Sequence, residues 1–273
     1  MRGSSLAITI GSLVFCGVIL AQKVQFAPVE KSSILQRMKS IPPSDAERAM
    51  GIKEMFSEAG CVGNSLIEQK IDGAETPNII CRLGSGEGDM LIVGAHYDRV
   101  SSPERPLDNW SGASLLPALY QSLRERKRDH SFLFVAFADH GNNPTGAEFF
   151  VRHLSAAELG RAEAMVNLDA LGLSPTKVWA AHSDKDLVQA LIVMVYALKL
   201  PASQIDIAAA GNTDSDPFAA RHIPQITIHS LTQQNVGGAT TQFRPNNYYD
   251  TYRLLCGYLA YLDQSLKPRP HSE

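Results

Sequence analysis

The sequence predicts a single three-layer α/β domain with a mainly parallel central sheet and helices on both of its faces. Three observations carry that prediction. Five apolar runs, LIVGAH at 91–96, FLFVAFA at 132–138, MVNLDAL at 165–171, KVWAAH at 177–182 and QITIH at 225–229, are continuous rather than alternating, as in strands buried on both sides. Helical segments separate them, so strand and helix alternate as a sheet of parallel crossovers requires. A length of 273 residues with 44% hydrophobic content suits one large domain better than two.

Taken in order, the chain opens Met1-Arg2 and then runs uncharged from Leu6 to Ala21. A basic start, a short apolar stretch and small residues near its end are an export signal, and a membrane span needs about 20 apolar residues. Residues 1–21 are therefore a signal peptide cut after Ala21, or an uncleaved anchor because Ile19 replaces the usual small residue. Lipid attachment at Cys16 is disfavoured by the bulky Phe15 before it. Residues 22–43, ending in Pro42-Pro43, read as a leader that packs late or stays mobile. The domain proper spans 44–268, with a tail at 269–273. Ser44 or Asp45 can cap a first helix that stops at Gly60. Two strand-like segments, SLIEQKI and PNIICRL, flank the hairpin signal Asp72-Gly73. After the first buried run, Leu115, Leu116, Leu119 and Leu123 share a helical face, and KDLVQALIVMVYAL and DPFAARH form later helices. A last helix from about Tyr248 to Leu266 buries Leu255, Tyr258, Leu259 and Leu262 along one stripe.

Charge and cysteine content narrow the partners. With 25 basic and 28 acidic residues the net charge is -3, which offers no footprint for nucleic acid. Contact with a membrane is expected only through an uncleaved N-terminus. Cys61, Cys81 and Cys256 show neither a CxxC pair nor a zinc-finger spacing and read as core residues, with Cys61 and Cys81 the pair to expect if one disulfide forms.

Polar residues at the ends of buried strands are what a hydrolytic metal site needs, because strands fix ligands rigidly while loops leave one side open. The first run ends His96-Tyr97-Asp98, and Asp108-Asn109-Trp110-Ser111-Gly112 follows. Asp169 sits inside an apolar run, where an unpaired carboxylate costs several kcal/mol and so calls for a cation or a partner. Other candidates have plainer readings. His182, His222 and His229 read as hydrogen-bonded core, Asp214 and Asp216 as caps of the helix DPFAARH, and His153 as solvent-facing.

The motifs GAHYD, DNWSGAS, NLDALG and TDSDPFAARHIPQITIHS, in that order over about residues 44–266, resemble the zinc-dependent aminopeptidase and glutaminyl-cyclase superfamily. In active aminopeptidases of that group two zinc ions share a bridging aspartate. The resemblance implies that His96, Asp108 and Asp169 hold one zinc and that Asp98 orients the His96 imidazole. The other half-site departs from the pattern. Where the family has a Glu-Glu pair, general base and then ligand, this chain reads Asp139-His140-Gly141, which places His140 on the base and Gly141 on the ligand or, with a gap, Asp139 or His140 on the ligand, and unless His229 reaches in no histidine up to Pro270 supplies the distal ligand. One zinc ion is therefore expected rather than two, with His140 or Asp139 as the catalytic candidates beside Asp98. The implied function is an exported metallopeptidase acting on peptide or aminoacyl substrates. Two alternatives stand beside it: a pseudo-peptidase without turnover, and a glutaminyl-cyclase-like acyltransferase.

Overall fold

The computed structural model describes residues 26–99, 109–140, 143–205, 212–232 and 242–266. In chain order the elements are α1 (Lys31–Gln36), α2 (Asp45–Glu58), β1 (Leu66–Gln69), β2 (Asn78–Leu83), β3 (Met90–His96), α3 (Trp110–Ala113), α4 (Leu116–Leu123) and β4 (Ser131–Phe137). There follow α5 (Thr145–Arg152), α6 (Ala156–Arg161), β5 (Ala162–Asp169), β6 (Thr176–Val178), α7 (Lys185–Leu198), β7 (Ala202–Gln204), α8 (Asp216–Ala219), β8 (Gln225–His229) and α9 (Pro245–Ser265). All eight strands join one sheet in the order β1-β2-β4-β3-β5-β8-β6-β7.

The middle of that sheet, β4-β3-β5-β8, is parallel throughout. Antiparallel pairs of β2 with β4 and of β6 with β8 flank it. The predicted three-layer α/β class is therefore correct. Strand β3 lies between β4 and β5, so the chain reverses its direction of travel across the sheet there, and a crevice outside the strand C-termini follows from that topology.

Alternate residues of each buried strand feed two separate cores. Leu91, Val93, Phe132, Phe134, Val166 and Leu168 belong to the larger one, with residues of α2, α4, α7 and α9. Ile92, Val135, Phe137 and Met165 belong to the smaller one, which Phe150 of α5 and Phe218 of α8 complete. Gly94 continues the smaller side, and a Cβ there would sit 2.4 Å from the Phe137 ring. Glycine at this place lets Phe137 and Met165 close beneath His96.

Local chemistry accounts for the element ends. Ser44 caps α2 in a capping box with Glu47, and Gly60 takes φ 93° just past its end. Cys61 and Cys81 form a disulfide. Residues 26–43, part of the 22–43 segment expected as a leader that packs late or stays mobile, lie on the larger core. Ile34 and Met38 are buried, Val29 N–H donates to Tyr252, and Trp110 donates to the Arg37 carbonyl. The run KVWAAH also differs, since β6 stops at Val178 and a 3-10 turn covers Ala180–His182. Residues 1–21 lie outside the described residues.

Candidate metal centre

The site is built from the ends of three adjacent strands. His96 closes β3 with its side chain on the smaller-core side. Its Nδ1 lies 3.3 Å from Asp98 Oδ1, and both residues are buried. A carboxylate at Nδ1 fixes that nitrogen as the donor and leaves the Nε2 lone pair for a metal. Nε2 lies 4.0 Å from Asp169 Oδ1 at the end of β5. Arg48, buried on α2, steadies the exit of β3 by donating to the carbonyls of Tyr97 at 3.0 Å and Asp98 at 3.1 Å. Arg48 gave no sequence signal, because an arginine within a helix normally points to water.

Asp169 is held by what flanks it. Ala170 has φ 45°, a left-handed conformation that non-glycine residues seldom adopt and that concentrates at functional sites. Asn109 maintains it, donating to the Leu168 carbonyl at 2.7 Å and accepting from Ala170 N–H at 3.0 Å. Ser230 donates to the Ala170 carbonyl from the far side. Asp108, one residue before Asn109, lies outside the described residues, so of the three expected ligands the structure describes His96 and Asp169.

His140 enters from β4. Asn78 accepts from Ala138 N–H at 3.0 Å and donates to the Gly146 carbonyl at 2.9 Å, which pins both ends of the intervening loop. A Cβ on Gly146 would meet the Ala138 carbonyl at 2.2 Å, so glycine is required for that approach. Asp139 takes φ 53° with its side chain exposed, and the next residue turns inward. The His140 ring reaches 4.3 Å from the His96 ring, tilted by 31°. The structure thus gathers His96, Asp98, Asp169 and His140 and leaves Asp139 facing solvent. Gly141 lies outside the described residues.

One site residue was misread from sequence. Asp214 caps nothing; its Oδ2 accepts the His96 backbone N–H at 3.1 Å, while Asp216 takes the Thr213 N–H. Asp214 is 1% exposed, and its Oδ1 has no hydrogen-bond partner among the described residues. Burial pushes its carboxyl above the ordinary range, and the His96 and His140 imidazoles oppose that rise. One atom from each of His96, His140 and Asp214 lies within 4.8 Å of the others. His182 and His222, expected in the core, are exposed. His229 is buried as expected, its Nδ1 accepting from Leu231 N–H and its pKa lowered by burial to about 4.

Imidazole and carboxylate donors around a buried, half-satisfied carboxylate suit zinc. The comparisons agree with that chemistry. The model of peptidase family M28 matches residues 78–253. Aminopeptidase YwaD of Bacillus subtilis is 30% identical over 134 residues, which cover 48% of this chain and 30% of that protein. The chain thus spans about a third of the length of the curated relatives it matches. Among solved structures, the Legionella pneumophila LapA aminopeptidase superposes with a TM-score of 0.75 at 14% identity, over 97% of this chain and 79% of that one. The glutaminyl cyclase of Macrostomum lignano gives 0.67 at 15% identity over 98% of both chains. Likeness at such identities concerns the fold.

Proposed function

The chain belongs to peptidase family M28, and from that premise we propose that it is an exported hydrolase of peptide or aminoacyl amide bonds that works with a single zinc ion. The observation supporting this reading is the arrangement at the strand ends, where Asp98 aims the His96 imidazole and Asp169 faces its Nε2 at 4.0 Å. His96 and Asp169 would hold the ion, with Asp108 the third ligand carried over from the resemblance. A zinc ion so held supplies Lewis acidity toward the scissile carbonyl and a water acidified toward neutrality. The chain's own part is to orient the imidazole through Asp98, fix Asp169 through Asn109, and exclude water beneath the site with Phe137 and Met165.

No glutamate occupies positions 139–141, where the family's base would stand. A missing general base costs on the order of 10²–10⁴ in rate, so turnover is expected to be slow. The same observation favours the second reading, a pseudo-peptidase that binds metal and peptide without cleaving. Export is supported by the Leu6–Ala21 apolar stretch and by the Cys61–Cys81 disulfide, a bond suited to an oxidising compartment. Among the described residues no helix is long and apolar enough to cross a membrane.

Zinc content of the purified mature protein, measured beside its hydrolysis of aminoacyl-nitroanilides, tests the proposal. One zinc per chain with slow, chelator-sensitive release of nitroaniline is expected. One zinc with no hydrolysis of any aminoacyl or peptide substrate leaves the pseudo-peptidase as the better reading. Two tightly held ions would contradict the single-zinc centre.

A further inference from the structure

We propose that His140 and Asp214 are direct ligands of the ion that His96 and Asp169 would hold, so that these two side chains take the place of the departed half of the family's site. This rests on the reading that an ion sits on His96; it gives that ion Asp214, which the resemblance does not supply, and His140, which the resemblance offers as a base or, with a gap, as a ligand of the other half-site, and it removes His140 from the role of free base.

Geometry is the first support. The three offered atoms lie within 4.8 Å of one another. Ligand atoms about 2.0–2.2 Å from a common zinc are roughly 3–4 Å apart. The contraction required is on the order of an ångström, and half-buried His140 lies on a loop between two pinned ends, so it can supply that movement.

Asp214 is the second, independent support. A side chain 1% exposed presents one carboxylate oxygen to a backbone amide, while the other has no hydrogen-bond partner among the described residues. No lysine or arginine among the described residues pairs with it, and a buried carboxylate without a cation is destabilising. Its backbone is nevertheless held firmly. Thr213 Oγ1 lies 2.6 Å from Ser215 Oγ, which lies 2.9 Å from Thr227 Oγ1 on β8. An acid placed this rigidly with an unsatisfied oxygen beside two imidazoles is what a metal ligand requires before the metal arrives.

The loop conformation is the third. Asp139 at φ 53° is strained for a residue with a side chain, and the strain turns His140 back over the sheet onto His96. A histidine serving only as a solvent-side base would not need that turn.

The test compares zinc and cobalt affinity of the mature wild-type protein with His140→Ala, Asp214→Asn and Asp169→Asn, by competition with a chromophoric chelator, together with melting of each metal-free protein. Even the outer partners of metal ligands are worth about 10–100-fold in affinity, so His140→Ala and Asp214→Asn should each weaken zinc by at least about 100-fold. Each should also alter the visible absorption of the cobalt-loaded protein. Asp214→Asn keeps the acceptor for His96 N–H, so the metal-free variant should melt no lower than wild type. Wild-type affinity and an unchanged cobalt spectrum in either variant overturn the proposal. If only Asp169→Asn then loses zinc, the single-zinc reading survives without it. If His140 and Asp214 prove necessary for zinc while wild type hydrolyses nothing, the proposal stands and the peptidase reading falls. Wild-type protein that binds neither metal sinks both.

Discussion

Two buried aspartates at opposite ends of the sheet show how differently one fold treats the same charge. Asp263 on α9 lies beside the start of β4. Its Oδ1 accepts the N–H groups of Asp129 at 3.0 Å and His130 at 2.8 Å and pairs with the His130 imidazole, and its Oδ2, which like Asp214 Oδ1 has no hydrogen-bond partner among the described residues, has the Arg126 guanidinium at 3.4 Å. Asp214, at the C-terminal end of the same strands, receives one backbone N–H and faces two imidazoles with an unsatisfied oxygen. Compensation within the chain marks a structural charge. Asp214 has no cation of the chain beside it among the described residues other than the two imidazoles, and that is the difference the proposed ligand role rests on.

Removing each carboxylate should give the largest contrast. Asp263→Ala strands His130 and Arg126 in a buried setting, and breaking such a pair costs about 3–5 kcal/mol. Asp214→Asn in the metal-free protein relieves an unpaired charge and should cost close to nothing. Urea unfolding of both metal-free variants checks this, and a large loss in Asp214→Asn would mean that Asp214 is structural too.

Opposite pH dependences sharpen the comparison next. The His130 pKa is raised, first by its side-chain bond to Asp263. Its contribution is fully present below the unfolded value near 6.5 and is lost as pH rises through the folded value. His229, beside the site on β8, is lowered by burial from 6.5 to about 4. Its contribution is present above 6.5 and is lost as pH falls toward 4, roughly 3 kcal/mol in all. Stability measured against pH should therefore lose its alkaline slope in His130→Gln and part of its acid slope in His229→Gln. The same slope change in both variants would break the distinction.

The smallest effect concerns the loop that carries His140. Gly146→Ala forces a Cβ to 2.2 Å from the Ala138 carbonyl. Overpacking of this kind costs about 1–3 kcal/mol, and the shift passes to His140 through Asn78. Zinc affinity should fall together with melting temperature. Unchanged affinity would show that this loop does not set the metal geometry.

The scaffold was legible because parallel strands buried on both faces must be apolar without interruption, as LIVGAH and FLFVAFA are. KVWAAH misled because an apolar run cannot reveal its own length as a strand, and here only Lys177 and Val178 of the run pair before the chain turns. His96 and Asp98 stood out at the end of such a run, and Asp169 as a carboxylate inside one. Asp214 did not, since an aspartate just before a short helix has a local explanation as a cap. Only a contact with His96, 118 residues away in sequence, exposes its role. The inward turn of His140 was equally hidden, because it depends on the left-handed backbone of Asp139 rather than on any residue pattern.

The most direct measurement of the central claim is anomalous diffraction at the zinc edge from crystals of the zinc-loaded protein. The account predicts a single peak within bonding distance of His96, with His140 and Asp214 as its neighbours. Two peaks, no peak, or a single peak coordinated without His96 would contradict it.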